Sequence, residues 1–363
     1  MNSKQRVMTS VSHTEPDRVP LAYAATPEVT KRLEEFLGAT DEEELLLALR
    51  IDFRQVQPVP KLHTYGDFFG DPLIEDLGGG RFRDIWGATF KRVNYDLGSY
   101  VEIEGNPLAN VHDLAQLEGR AWPNARDVWD FRNIKSDALE RGDYAIVYDG
   151  AVLFQFCQAL MGIEPLLTDL HESPKIAQAV LQKVASYWTD FGVSLLEAAD
   201  GTIDFFVIND DYGTQQGPLF NPAIWRTYIK PIIQKVIEAY KRFGVKIIFH
   251  SCGSVRLFIP DLIEMGIDVL DPVQVSAKDM VPRRLKEEFG SRLCFRGAVD
   301  TQRVLPRGSP NEVKEEVRTR IRELAPGGGY IATAVHNIQP DVPLQNIVAM
   351  YEAAREHGRY PIS

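Results

Sequence analysis

The stretch that decides the fold is Lys246–Gln274, KIIFHSCGSVRLFIPDLIEMGIDVLDPVQ. The apolar run Lys246 to Phe249 ends in His250-Ser251-Cys252-Gly253, and an amphipathic segment then leads through Gly266 into a second apolar run, Asp268 to Asp271. The pattern predicts strand, helix, strand. His250 and Cys252 stand two residues apart at the carboxyl end of the first strand, where extended backbone turns both side chains to one face and lets them share a metal ion.

Working outward, the same alternation recurs along the chain. Thr26-Pro27, Ser173-Pro174, Asn221-Pro222 and Ser309-Pro310 each open a segment with helical spacing, while Gly38, Gly244, Gly266 and Gly290 sit where helices should stop. Between them lie apolar runs at 19–24, 53–59, 145–148, 205–208, 246–249, 269–270, 293–299 and 330–335. Eight such runs separated by helices predict a (β/α)₈ barrel in the α/β class rather than an open doubly wound sheet. In such barrels the site gathers at the carboxyl ends of the strands, where this chain carries Asp52, Asp149, Asp210, Asp211, His250, Cys252, Asp271, Gln274, Asp300 and His336.

Residues 61–141 break the alternation. RFRDIWGATFKRVN followed by SYVEIEGNPLA reads as antiparallel strands with a turn at 84–87, an excursion between the second and third barrel strands. If it folds over the mouth as a lid, Trp86, Phe90 and Tyr100 would give it an apolar underside; the plainer expectation for each is packing against the barrel rim. The whole chain, 1–363, reads as one domain with this insertion.

Composition narrows the function. A chain of 363 residues, 44% hydrophobic and 25% charged, buries a large core unaided. Its net charge of −11 argues against a surface that grips nucleic acid or anionic lipid. Three scattered cysteines make no disulfide framework, and no apolar run suits a signal peptide or a membrane span, so a cytoplasmic enzyme of small molecules is expected.

Several motifs carry a resemblance. Pro16-Asp-Arg-Val-Pro20, His250-Ser-Cys-Gly253, Asp268-Val-Leu-Asp-Pro-Val-Gln274, and Gly328-Gly-Tyr-Ile331 leading to His336 with Pro343-Leu-Gln-Asn-Ile347 beyond look like the uroporphyrinogen decarboxylase superfamily. That resemblance runs nearly end to end and implies a (β/α)₈ fold. It also implies one of two chemistries, decarboxylation or methyl transfer with corrinoid proteins. True uroporphyrinogen decarboxylases resemble one another in an arginine-rich segment after the first strand that holds the substrate's carboxylates. Here that segment is Ala22-Tyr-Ala-Ala-Thr-Pro-Glu-Val29, without arginine. His336 nevertheless stands where those enzymes have a functional histidine, which keeps decarboxylation of a carboxylate-bearing ring compound as the alternative.

The methyltransferase branch resembles this chain in its His-X-Cys, which there binds zinc with a third ligand, commonly cysteine, from the loop after the last strand. The matching position is His336, so the resemblance implies Zn²⁺ on His250, Cys252 and His336 with a fourth position open for substrate. Imidazole in place of thiolate raises the charge of the centre and favours a methyl ether or amine donor over a thiol. The implied partners are a small methyl donor or acceptor and a corrinoid (methylcobalamin), free or on a partner protein. A homodimer and a non-catalytic barrel subunit both stay open.

The remaining assignments follow position. Asp210, Asp211 and Asp300 are candidates for acid–base work, the adjacent pair because two carboxylates raise each other's pKa, although one capping a helix while the other faces water is the competing reading. Tyr23, Tyr148, Tyr212, Gln215, Asp271 and Gln274 are expected to line the substrate pocket, with Gly213–Gly217 as a wall that could meet a phosphate or carboxylate. Cys157 and Cys294 sit in apolar surroundings and read as packed core.

Overall fold

The computed structural model describes residues 1–68 and 71–362. Seven parallel strands form one curled sheet in chain order: Phe53–Gln55, Ala145–Val152, Phe205–Asn209, Lys246–His250, Val269–Val273, Cys294–Val299 and Tyr330–Ala334. The eighth stave is the run at 19–24. It is extended but makes only bridges, Leu21 to Ala332 and Ala25 to Ile338, so it closes the ring without becoming a regular strand. Leu21 O accepts from Asp52 N at 2.9 Å on one side, and Ala22 N donates to Ala332 O at 3.1 Å on the other. The expected (β/α)₈ barrel is therefore present, with a thin seam on either side of its first stave.

The period-two alternation of each strand decides what lies inside. Phe53, Val147, Phe205, Val207, Ile248, Val269, Cys294 and Ile331 form an inner apolar cluster, joined from below by Val7 and Val11 of the helix Ser3–Val11. The intervening residues, among them Tyr148, Phe206, Ile247, Phe249 and Leu270, face the helices in the outer core.

Local chemistry accounts for the helices that matter most. Ser309 opens Pro310–Leu324 with a capping box in which its side chain and that of Glu312 exchange bonds with the opposite backbone N–H groups. Asn221 caps Pro222–Ile224. Gly38 ends Pro27–Leu37 at φ 70°, a left-handed cap that suits glycine.

The insertion is antiparallel as expected, with hairpin strands Arg81–Asp84, Thr89–Tyr95 and Gly98–Gly105 following Asp71–Gly78. The turn at 84–87 is closed by Gly87 N to Asp84 O. Its aromatics do not make a lid's underside. Trp86 and Phe90 are buried, and Trp86 packs against Trp122, Phe156 and Tyr187 at the rim, while Tyr100 is 49% exposed and bonds Glu102. Large apolar surfaces stay where they are driest, so the aromatics root the excursion instead of roofing the mouth.

Candidate metal centre

The alternation that fills the barrel with Ile248, Val269 and Cys294 carries the next inward positions to polar residues. Two residues on, six of the seven strands offer an inward polar side chain: Asp149, Asn209, His250, Asp271, Arg296 and Thr333. These six line a cavity of about 420 Å³ at the carboxyl-end mouth, together with Asp211 and His336.

His250, Cys252 and His336 meet there, their ligand atoms all within 4.8 Å of one another. Cys252 Sγ lies 3.5 Å from His250 Nε2, and the two imidazole rings are 5.6 Å apart between centres. Each residue is pinned separately. His250 is the last residue of its strand, paired with Asn209 and Asp271 on either side. Cys252 N donates to Asp211 Oδ1 at 2.7 Å and Gly253 N to Gln274 Oε1 at 2.6 Å. The loop bearing His336 is fixed at both ends, by Val335 N to Val299 O and Ile338 N to Ala24 O.

Gly253 sits at φ 86°, and its backbone rests directly on that of Gly213; a Cβ on Gly253 would come within 2.5 Å of Gly213 C, and one on Gly213 within 2.6 Å of Cys252 O. Here glycine is demanded twice, by conformation and by close approach. The loop Gly213–Gly217 thus buttresses the Cys252 turn. Thr214 bonds Gly217 O within the loop and its carbonyl accepts from Ser254 N, and residues 213–217 do not line the mouth cavity, where composition suggests a pocket wall.

The charges around the cluster are set by its neighbours. His250 Nδ1 is 2.9 Å from Asp271 Oδ2, and Arg296 Nη1 stands 3.5 Å from the same oxygen. Burial pulls the His250 pKa down, but the bonds to Asp271 and Cys252 override it and hold the imidazole well above its ordinary value. Burial alone would raise Asp271; Arg296 and then His250 keep it below the usual carboxylate range. Burial and the neighbouring His250 lower His336, which favours the neutral, ligating form.

The donor set fits zinc. A carboxylate on His250 Nδ1 fixes the tautomer that leaves Nε2 free, the arrangement by which zinc-ligating histidines are commonly oriented. Two imidazoles and one thiolate are ligand types zinc accepts, and the fourth tetrahedral position would open toward the cavity.

Other candidates are placed elsewhere. Asp210 is fully buried and accepts from the N–H groups of Leu153, Phe154 and Gln155 and from the hydroxyl of Tyr212. Burial raises its pKa to about 6 against those bonds. Its oxygens are consumed in capping the helix Phe154–Met161, so it does not serve as a catalytic acid at the mouth. Asp211 is the one that faces the cavity. Tyr212 is enclosed by Phe154, Phe220, Trp225 and Phe249 behind the sheet, and Tyr148 points outward onto Phe191 and Phe206; neither lines the pocket.

Gln215 is exposed on its turn, away from the cavity, and its carbonyl accepts from Lys278 N. Asp300 closes its own turn through Gln302 N and is absent from the cavity lining. Asp52 lies near the amino ends of the strands, held by Arg6 and Arg18 at 2.8 Å each, because it precedes its strand instead of following it. Gln274 and Asp271 orient the loop and His250, whereas Tyr23 lines an adjoining cavity and bonds Thr30. Cys157 and Cys294 are fully buried in the core.

Arg296, Asn209 and Gln155 are cavity residues that motif reading passed over. Parity would have found the first two: counting by twos from Cys294 and from Phe205 leads to Arg296 and Asn209, and the same count excludes Tyr148.

The family model for uroporphyrinogen decarboxylase matches residues 147–357, more than half of the chain, running from within the second regular strand past the last. The chain belongs to that family. It is 23% identical over 319 residues to a methylated-thiol–coenzyme M methyltransferase of Methanosarcina mazei, covering 82% of this chain and 79% of that one. It is 25% identical over 271 residues to a uroporphyrinogen decarboxylase of Legionella pneumophila, covering 72% and 74% respectively. The solved structure of a methyltransferase from Methanosarcina mazei superposes with a TM-score of 0.67 at 19% identity, covering 98% of this chain and 99% of that one, which establishes the shared barrel. Among the described residues no helix is long and apolar enough to cross a membrane.

Proposed function

We propose that this chain is a zinc-dependent methyltransferase that moves a methyl group between a small methylated molecule and a corrinoid. The observation that carries the reading is the convergence of His250, Cys252 and His336 with Asp271 behind His250. Zinc bound there would supply Lewis acidity to the heteroatom bearing the methyl group, or lower the pKa of a thiol. Asp271 holds the His250 ring in one tautomer, and Asp211 anchors the Cys252 turn through its backbone N–H. The barrel walls bound a cavity at the lower end of the roughly 300–1,000 Å³ range of small-molecule sites.

The decarboxylase alternative draws less support. A substrate with many carboxylates needs several cationic partners, yet among the described residues Arg296 is the single arginine lining this cavity, which also holds Asp149, Asp211 and Asp271.

Metal analysis tests the proposal first. Purified protein is expected to hold about one zinc per chain, and Cys252→Ser to lose it while keeping its circular dichroism spectrum. Zinc-loaded protein should then transfer methyl groups from simple methyl ethers, amines or thioethers to free cob(I)alamin, followed by its absorbance. Protein that binds no zinc and releases CO₂ from ring carboxylates would replace this reading with the alternative.

A further inference from the structure

We infer that Arg296 is the anchor for a carboxylate on the substrate, so that the methyl donor or acceptor is a small acid whose methyl-bearing atom lies only a few bonds from its carboxyl group. The inference rests on the methyl-transfer reading for what happens at the metal, but on separate observations for the anchor.

Arg296 is the last inward residue of its strand, with its side chain only 13% exposed inside the barrel. It lines the mouth cavity and also a second cavity of about 280 Å³, which runs past Tyr23, Gln55 and Gln57 along the seam beside the first stave. A guanidinium carries five N–H donors and cannot shed its proton. Among the described residues this one makes a single hydrogen bond, a long one of 3.5 Å to an Asp271 oxygen that already serves His250. Its Nε is buried without any acceptor. Its Nη2 makes no hydrogen bond among the described residues either but is not closed off as Nε is, so a ligand in the cavities that Arg296 lines can complete the guanidinium, as the polar groups of folded interiors usually are.

The neighbouring carboxylates do not fill that role. Asp149 accepts from Asn209 at 2.8 Å, and Asp211 is held by Cys252 N and Gln155. What matches the planar fork is an oxyanion with two coplanar oxygens. The distance to the metal cluster sets the size of the ligand. Arg296 Nη1 is 3.5 Å from Asp271 Oδ2, which is 2.9 Å from Nδ1 of His250, and Arg296, His250 and His336 line one cavity, so a small acid seated on the guanidinium can extend past the His250 ring toward Nε2 and the ligand cluster.

The test is calorimetric binding to the zinc-loaded full chain of methoxyacetate and 3-(methylthio)propionate, each against its neutral amide. The acids should bind at least about tenfold more tightly than the amides, as expected for a charge-assisted bond. Arg296→Gln should abolish that preference without changing the zinc bound per chain. Arg296→Lys, which keeps the charge and loses the fork, should retain part of it and guards against a folding failure of the first variant. Equal binding of acid and amide by the unaltered protein, no binding of any acid at millimolar concentration, or an acid preference that survives in Arg296→Gln would overturn the inference. So would Arg296→Gln losing zinc with the acid preference intact, which would make Arg296 a counter-ion for Asp271 alone. Zinc-dependent methyl transfer that proceeds equally from acid and amide would sink the anchor and leave the function standing. An Arg296-dependent acid preference in a protein that takes no zinc would do the reverse.

Discussion

Asp271 bears on the proposed metal site without belonging to the ligand set. It takes the Nδ1–H of His250 at 2.9 Å and so directs Nε2 toward Cys252. Replacing it by Asn removes the charge while keeping an acceptor, and partners of this kind typically affect metal affinity by about 10- to 100-fold. Zinc competition with a chromophoric chelator should therefore show Asp271→Asn weakened by that order; an unchanged affinity would mean that the ring is oriented by packing alone. Asp210 behaves differently. Its carboxylate satisfies three buried backbone N–H groups and the Tyr212 hydroxyl, so Asp210→Ala is expected to cost about 2–5 kcal/mol in urea denaturation. A loss below about 0.5 kcal/mol would show that water replaces the cap.

The turn Ser251–Ser254 and the insertion are the two elements whose geometry carries consequences. Gly253→Ala meets both a positive φ and the backbone of Gly213, so it should destabilise by about 1–3 kcal/mol and weaken zinc binding by displacing Cys252. Zinc affinity that survives the substitution would place the thiol's position in the strand and not in the turn. In the insertion, Asp84 is buried with one oxygen bonded by the N–H groups of Trp86 and Ala88 and the other without a partner among the described residues. Burial raises its pKa to about 7 despite those bonds. A folded-state pKa above the unfolded one means stability that is full below about pH 4 and falls as pH rises through 7. The melting temperature of the protein should accordingly drop relative to that of Asp84→Asn between pH 4 and 7.5; parallel curves would show Asp84 ionised throughout. Trp86, wedged against Trp122, Phe156 and Tyr187, ties the same element down, and Trp86→Ala should cost about 3–5 kcal/mol.

The barrel as a whole was legible because its signal is repeated: apolar runs, proline after a cap, glycine at the exit, again and again round the ring. The first stave was less so, since Val19–Ala24 has the composition of a strand but is joined by bridges alone. The His-X-Cys was readable from type and spacing, whereas its third partner, His336, came from the family resemblance. Asp210, Tyr148, Tyr212 and Asp300 were misplaced because nearness to a strand end does not say which face a side chain takes, and at Asp210 three backbone donors outcompete the cavity for the carboxylate. Arg296 and Asn209 were hidden inside apolar runs and become visible only when inward parity is counted from the core residues below them.

The central claim is that one imidazole from a strand end, one from the loop after the last strand, and one thiolate close on a single cation at the barrel mouth. X-ray absorption at the zinc edge of the full chain measures this directly. Two histidine nitrogens near 2.0–2.1 Å and one sulfur near 2.3 Å, with the sulfur lost in Cys252→Ser and one nitrogen lost in His336→Ala, are the expected result. Protein that takes up no zinc, or zinc with no sulfur among its neighbours, would contradict it.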